Sequence, residues 1–265
     1  MNVLLLSDFS PVAINATHYA MDLLQNQKVN FYLLNIFDPD PHNENRSVKA
    51  KTLGILKERV EKLQQRSGER PHKISGHYSE EKLVSAARDF VQQHKIDLIV
   101  MGSVGQAQRN YTILGKHTFE IMSKIKCNIL AVAEGSKFKK SRKLLLPIDY
   151  TASIDERNIK FLNYPEVFKN ADLDIWEFAG EGETENESDP GKKAVFTGLK
   201  DFNVKFTRFN EPSFYNKSIW LDVQNKFDFI VLFGKNIRIC NRLLHNRHGL
   251  YTSMPNQLPI LVLHD

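Results

Sequence analysis

Short, mainly apolar runs alternate with amphipathic stretches along the first half of the chain. Val3–Leu6, Val29–Ile36 and Ile96–Met101 are such runs, and residues 11–24 and 48–63 carry apolar side chains at helical spacing. A nearly uninterrupted apolar run is typical of a parallel strand that is buried on both faces of its sheet. The alternation therefore predicts a parallel sheet with helices on both faces.

The second half of the chain repeats this plan. Lys143–Thr151 matches Val3–Ser10, because both contain a run of leucines followed by an aspartate and an aromatic residue. Phe227–Gly234 matches Ile96–Gly102, because both consist of an apolar residue, an aspartate, an apolar run and a glycine. A repeat of this length indicates a tandem domain duplication rather than a solenoid.

The predicted fold class is α/β, with two tandem doubly wound repeats that each contain a five-stranded parallel sheet. We place the first repeat at residues 1–135, a basic linker at 136–143 and the second repeat at 144–265. A chain of 265 residues is long enough for two domains of about this size.

The positive charge of the chain is concentrated at the junction of the repeats. The net charge is +5, and residues 136–143 contain five Lys and Arg and no acidic residue. A nucleic-acid-binding protein usually presents a broad basic face, so the pattern favours a solvated linker over a nucleic-acid partner.

The sequence contains no signal for a membrane or for secretion. No run approaches the ~20 apolar residues of a transmembrane helix, and the N-terminal residues lack the basic start and apolar length of a signal peptide. Two cysteines, Cys127 and Cys240, provide no disulfide framework, as is usual in a reducing compartment. We therefore expect a cytoplasmic protein with no membrane association.

Three glycines mark a candidate phosphate site in the first repeat. Gly102 ends an apolar strand, Gly105 follows after two intervening residues, and Gly115 precedes a predicted helix. Glycines allow backbone N–H groups to approach a ligand, and a helix N-terminus favours an anion. Ligands of parallel sheets bind at the carboxyl ends of the strands, where Asp8 also lies. Two alternatives remain: a ligand-free turn at the glycines, and a helix-capping role for Asp8.

The histidines and cysteines do not form a metal or catalytic pattern. His245 and His248 could share a helical face, but no Cys or carboxylate nearby completes four ligands. His72 and His77 are five residues apart on a predicted strand, so we expect them on opposite faces. Cys127 begins an apolar strand and is interpreted as a core residue. The sequence thus predicts no metal ligand and no catalytic residue.

These motifs resemble the universal stress protein family in its tandem two-domain form. The likeness covers nearly the whole chain and includes the opening strand ending in Asp-Phe-Ser, the strand Asp97–Gly102 and the closing strand Cys127–Val132. The nucleotide signature of the family is Gly, two residues, Gly, nine residues, Gly, then Ser or Thr. The three glycines match that signature.

The resemblance implies an adenine nucleotide alpha hydrolase-like fold and ATP or AMP, with or without Mg²⁺, bound at the strand ends. Asp8 would lie near the adenosine, the Ile36 backbone would contact the adenine edge, and the glycines would line the ribose and phosphates. The predicted contacts are Asp8, Phe9, Ile36, Met101, Gly102, Gly105, Gly115, Lys116 and Thr118. Lys116 replaces the usual Ser or Thr; it could neutralise a phosphate, and Thr118 could supply a hydroxyl.

The second repeat departs from the signature. Gly234 keeps the first glycine, but Ile237 occupies the second position and the segment 246–249 reads Asn-Arg-His-Gly. A branched side chain where the backbone must meet phosphate should obstruct binding. Asp149 remains at the first strand end and is interpreted as a structural residue. We therefore expect one nucleotide site per chain and a mainly structural second repeat.

Three function hypotheses follow. The first is a stress-response sensor or regulator that binds ATP or AMP, hydrolyses it slowly at most and acts on an unknown protein partner. The second is a nucleotide-free structural or interaction protein, whose apolar closing strands, Asn128–Ala133 and Leu258–Leu263, offer edges for pairing. The third, an adenylyl transferase, is disfavoured because its motifs are missing. The resemblance also implies an intramolecular pseudo-dimer, which could dimerise again.

Overall fold

The computed structural model describes most of the chain. The described residues are 1–37, 46–104, 114–139, 143–149, 156–163, 168, 171–179, 193, 195, 197–199, 202–210, 219–239 and 257–264. Within these ranges, no helix has both the length and the apolar character that a membrane span requires.

Strands and helices alternate in the first half as the sequence predicts. The elements are β1 (Asn2–Leu6), α1 (Pro11–Leu23), β2 (Val29–Ile36), α2 (Arg46–Ser67), β3 (His72–Ser79), α3 (Leu83–His94), β4 (Leu98–Gly102), α4 (Lys116–Lys124) and β5 (Asn128–Val132). Ser10 is the N-cap of α1: its side chain accepts a hydrogen bond from the Ala13 N–H, and Pro11 follows at the first helical position.

The described elements of the second half follow the same order. They are β6 (Lys143–Ile148), α5 (Glu156–Asn163), β7 (Asp172–Ala179), β8 (Asn203–Asn210), α6 (Ile219–Lys226), β9 (Phe229–Phe233), a short 3-10 helix (Gly234–Ile239) and β10 (Ile260–Leu263).

The ten strands form one sheet rather than two. Their order is β3-β2-β1-β4-β5-β10-β9-β6-β7-β8, so the five strands of each half follow the same order outward from the centre to the edge. The two halves meet where β5 and β10 pair antiparallel, with Leu261 opposite Leu130, whereas strands within each half pair in parallel. The closing strands thereby satisfy each other's edge N–H and C=O groups, which two separate sheets would leave unpaired.

Two hydrophobic cores cover opposite faces of this sheet. On the α1 face, α1, α2 and α5 pack over strand residues such as Leu130 and Leu261. On the α3 face, α3, α4 and α6 pack over residues such as Ile129 and Val262. Each core contains buried side chains from both halves of the chain, so the halves share their apolar packing.

The described part of the linker is attached to both halves. The Ser136 hydroxyl donates a hydrogen bond to the Gln257 carbonyl oxygen at 2.5 Å, and the Asn15 amide donates to the Ser136 carbonyl oxygen at 3.1 Å. Phe138 packs edge-on against Tyr19, with 6.1 Å between the ring centroids. Ser136 and Phe138 therefore pack against the repeats, whereas the basic residues Lys137 and Lys139 are exposed.

Helix α3 begins later than its sequence indicates. The segment Ser79-Glu-Glu-Lys has the sequence pattern of a helix start with Ser79 as N-cap. Ser79 instead continues β3 opposite Ile36, and the helix begins at Leu83 without a side-chain cap. The Ser79 hydroxyl instead accepts a hydrogen bond from the Glu81 N–H at 3.2 Å. Pairing with β2 thus outweighs the local capping preference of Ser79.

Candidate functional site

The carboxyl ends of β1 and β4 flank the point where the strand order of the first half reverses. In the strand order, β2 lies on one side of β1 and β4 lies on the other. Leu6 pairs with Leu34 and Leu5 with Val100, so the continued register places Asp8 level with Ile36 and Ser103. The crevice beyond these strand ends, at the point where the strand order reverses, is the usual ligand position in a doubly wound sheet.

Asp8 is exposed at this crevice and also shapes the turn after β1. Its Oδ1 atom accepts a hydrogen bond from the Ser10 N–H at 3.0 Å, whereas Ser10 itself caps α1. The buried Asn35 amide donates to the Ser7 carbonyl oxygen at 2.8 Å and fixes the same turn to β2. Asp8 therefore has a local structural role and keeps an exposed carboxylate.

Phe9 and the other apolar site residues lie on opposite faces of the sheet. The Phe9 side chain packs against the core of the α1 face, whereas Ile36 and Met101 belong to the α3 face. Phe9 has a φ angle of 62°, which is uncommon for a bulky residue and marks local strain. A ligand on the α3 side of the crevice can therefore contact Phe9 through its backbone only.

Gly102 has a packing role at the end of β4. A Cβ atom at this position would lie 2.9 Å and 3.0 Å from the two methyl groups of Val12 and 3.4 Å from its carbonyl carbon. Only a glycine lets the first turn of α1 approach β4 this closely. Gly105 lies outside the described residues.

The start of α4 presents uncapped backbone donors next to Gly102. Gly115 is the buried N-cap residue, has no side chain to cap the helix, and donates its N–H to the Ser103 carbonyl oxygen at 2.7 Å. Lys116 is exposed at the first helical position. This end of the helix thus combines N–H groups that no described side chain caps, the positive end of the helix dipole and a lysine charge.

Thr118 connects α4 to β4. Its side chain is 3% exposed, and its hydroxyl donates a hydrogen bond to the Gly102 carbonyl oxygen at 2.9 Å. That proton is already used within the protein, so the hydroxyl retains only lone pairs for a ligand. The structure therefore assigns Thr118 a clear structural role, which sequence reasoning did not anticipate.

The equivalent region of the second half is filled by protein side chains. The imidazole of His264 lies directly over Gly234, where a Cβ atom would meet it at 2.2 Å. The Asn236 amide donates to Asp149 Oδ1 at 2.5 Å, and Ile237 is buried in the core of the α3 face. Residues 246–249 lie outside the described part of the chain. Sequence reasoning missed His264 because the histidine comes from the far end of β10.

His72, His77 and Cys127 lie where the sequence predicts them. The His72 ring contacts Phe31 and the His77 ring contacts Tyr32, which places the two histidines on opposite faces as expected. Burial, with a smaller contribution from the Asp97 charge, raises the pKa of the Cys127 thiol to about 12. Among the described residues, no group of three His, Cys, Asp or Glu side chains could hold a metal ion.

Comparison with known families identifies this fold. A model of the universal stress protein family matches residues 1–133, which is half of the chain. The chain belongs to the universal stress protein family. Among curated protein sequences, no match to this universal stress protein was found.

Two solved structures match this fold over nearly the whole chain, and a third matches about half of it. A universal stress protein from Archaeoglobus fulgidus DSM 4304 has a TM-score of 0.66 at 13% identity, over 98% of this chain and 97% of its own. The cytoplasmic domain of a prokaryotic cation chloride cotransporter has a TM-score of 0.53 at 13% identity, over 100% and 95% of the two chains. A universal stress protein solved in complex with cAMP covers 51% of this chain and 97% of its own, at 20% identity and a TM-score of 0.39. The likenesses to the first two structures support the fold alone.

Proposed function

We propose that the first repeat, residues 1–135, binds one adenine nucleotide, ATP or AMP, and that the protein acts as a stress-response sensor or regulator. The observation that carries this proposal is the uncapped N-terminus of α4, which lies beside the end of β4 at the crevice where Asp8 is exposed. Phosphates suit such a helix end because free N–H groups and the helix dipole both attract an anion.

Each site residue has a distinct part in this proposal. The Ile36 backbone and the Met101 side chain border the adenine on the α3 face, and Asp8 accepts hydrogen bonds from the adenosine. Gly102 and Gly115 leave room for the ribose and phosphates, and Gly105 belongs to the same signature. Phe9 contributes through its backbone.

Lys116 takes over the phosphate contact that Ser or Thr makes in the family signature. Its ammonium group is exposed at the first position of α4, where it adds a point charge to the backbone donors. A Mg²⁺ ion bound with ATP would find the oxygen ligands that it prefers in the phosphates and in Asp8. The hydroxyl oxygen of Thr118, which keeps its lone pairs, would be a further ligand for Mg²⁺ at this end of the helix.

We further propose that the second repeat, residues 144–265, is structural and binds no nucleotide. Support comes from the His264 ring over Gly234, from the hydrogen bond between Asn236 and Asp149, and from the burial of Ile237. The two repeats would then resemble the two subunits of a dimer that are joined through β5 and β10. The matching strand order of the two halves supports this arrangement.

Reversing the charge at Lys116 tests the phosphate contact. A glutamate at the first helical position suits the helix dipole, so Lys116→Glu should leave the melting temperature unchanged or slightly raised. The same substitution places a negative charge beside the phosphates, and we expect the ATP affinity measured by calorimetry to fall about tenfold or more. AMP affinity should fall less if Lys116 contacts the outer phosphates.

Lys126→Glu is the matched control for this experiment. Lys126 is exposed between α4 and β5, near the amino end of the sheet, so the same charge change there should leave ATP affinity within about twofold. Equal losses in both variants would show a general electrostatic effect rather than a contact at α4. Failure of the wild-type protein to bind ATP at millimolar concentration would refute the nucleotide proposal itself.

A nucleotide-free structural or interaction protein is the second candidate function. It is favoured by the packing of Gly102 against Val12 and by the hydrogen bond from Thr118 to Gly102, which explain these residues without a ligand. Under this alternative, the same ATP titration gives no heat and the Lys116→Glu variant behaves like wild type.

A further inference from the structure

Apart from the nucleotide crevice, a cavity lies on the α1 face, between α1 and α2, and the nucleotide proposal does not use it. Its volume is about 270 Å³. Apolar side chains from both helices, from β2 and from the turn after β1 line much of it, namely Phe9, Ile14, Leu33 and Leu63. A cavity of about 150 Å³ with such walls holds a benzene ring, so this one has room for two fused rings or a medium-length alkyl chain.

The charged rim of this cavity is basic, with Arg59, Lys62 and Arg66 among its lining residues. Arg66 binds Asp22 through a contact of 2.7 Å, and Lys62 binds Glu58 on the same helix. Arg59 lines the cavity, is half-buried, and has no ion pair within the part of the chain that the structure describes. A guanidinium group in that position is suited to a carboxylate.

The pKa of His18 indicates that the electrostatic potential in this cavity is positive. Burial lowers the pKa of its imidazole, and the nearby charges of Arg66 and Arg59 lower it further, while Asp22 acts in the opposite sense. The neutral ring also lines the cavity and offers a hydrogen-bond donor to a polar ligand group. An anion therefore enters this space more favourably than a cation.

We propose that the cavity between α1 and α2 binds a small apolar carboxylate, with its hydrocarbon body against Phe9, Ile14 and Leu33 and its carboxylate on Arg59. Most of the cavity wall is apolar, which suits the hydrocarbon body of this ligand better than the polar edge of a nucleotide base. The site is separate from the nucleotide crevice, because the Phe9 side chain faces the cavity while Met101 and Ile36 lie on the other face of the sheet.

Calorimetric titration of the full chain with 2-naphthoate tests the proposal. We expect one site with a dissociation constant of about 1 mM or below, as ligand efficiencies of small ligands suggest. The uncharged 2-naphthylmethanol should bind at least about tenfold more weakly, because it lacks the charge-assisted bond to Arg59. Absence of naphthoate binding at a few millimolar would overturn the proposal.

Two substitutions on α2 locate the carboxylate. Arg59→Leu should weaken naphthoate binding about tenfold and leave the naphthylmethanol affinity within about twofold. Lys57→Leu is the matched control, since Lys57 is an exposed cation of the same helix that does not line the cavity. Equal losses in the two variants would contradict the assignment of Arg59. Melting curves of both variants identify any loss of folding.

Two further measurements separate this site from the nucleotide site. Ile14→Trp fills the cavity and should abolish binding of both naphthalene ligands, whereas Lys116→Glu should leave naphthoate binding unchanged. Displacement of naphthoate by ATP would place the naphthoate in the nucleotide crevice and overturn the proposal. Naphthoate binding that persists in a protein with no ATP affinity would refute only the proposed nucleotide function.

Discussion

Glycine at position 102 is explained by packing before any ligand is considered. Val12, in the first turn of α1, occupies the space that a side chain at this position would need. The close approach brings the start of α1 against the end of β4, and the same two elements flank the candidate crevice. The residue therefore shapes the site as well as the core.

Gly102→Ala should lower the free energy of unfolding by about 1–3 kcal/mol, because the new methyl group overlaps Val12. Urea denaturation measures this change. Gly54→Ala is the control: Gly54 is exposed on α2 with nothing within 4 Å of a new Cβ atom, so alanine should stabilise the protein by about 0.5–1 kcal/mol. A neutral Gly102→Ala variant would contradict the packing explanation.

Cys127 should be unreactive in the native protein. Its pKa of about 12 keeps the thiol protonated at pH 8, so a disulfide reagent should label it only after unfolding, in a Cys240→Ser background. The unfolded thiol ionises near pH 9, which means that unfolding releases a proton between about pH 9 and 12. Its contribution to stability is therefore complete below pH 9 and falls as the pH rises. Rapid native labelling at pH 8 would show that this burial is wrong.

At the scale of elements, a partly buried side-chain hydrogen bond next to the crevice connects α4 to β4. Thr118 supplies the hydroxyl and Gly102 the carbonyl oxygen. The bond sets the direction in which the free N–H groups of α4 point. Thr118 therefore connects the position of α4 with the direction from which its N–H groups would meet a phosphate.

Thr118→Val keeps the side-chain shape and removes this hydrogen bond. We expect a loss of about 1–2 kcal/mol in the free energy of unfolding, because the Gly102 carbonyl loses its side-chain donor at a partly buried position. Thr17→Val is the matched control: the Thr17 hydroxyl donates to the Ala13 carbonyl, which also accepts the backbone bond of α1, so the cost should be smaller. Equal costs in thermal denaturation would argue against a special role for Thr118.

Sequence periodicity predicted the order and type of the described elements because the central strands, such as β1, β4 and β9, are apolar and buried on both faces. It did not predict the start of α3, since pairing of Ser79 with β2 depends on a partner that is distant in sequence.

The candidate site could likewise be predicted only in part from the sequence. Asp8, Gly102 and Gly115 could be found from strand ends and glycine spacing, whereas the contacts of Val12 and His264 required the folded chain. The basic side chains of the cavity between α1 and α2 could have been found from the sequence, because Arg59, Lys62 and Arg66 recur at helical spacing on α2.

At the scale of the whole molecule, the pairing of β5 with β10 makes one sheet out of two similar halves. Apolar closing strands indicated that these edges would pair, but a sequence does not distinguish pairing within the chain from pairing between two chains. The structure assigns both edges to the same chain and continues both cores across the junction.

The shared cores predict that the chain unfolds as one cooperative unit. Disrupting either half would expose apolar surface in the other, so calorimetry should show a single transition whose van't Hoff and calorimetric enthalpies agree. Amides of β5 and β10 should exchange with solvent as slowly as those of β1 and β6. Two well-separated transitions would mean that the halves are independent domains.

The central claim of one nucleotide site per chain is tested most directly by binding stoichiometry. Equilibrium dialysis of the full chain against ATP, repeated with AMP, counts the sites without assuming which residues form them. We predict one nucleotide per chain in the wild-type protein and none in Gly105→Val, because the branched side chain would obstruct the glycine signature of the first repeat. Zero nucleotides per wild-type chain at millimolar ATP, or two per chain, would contradict the account.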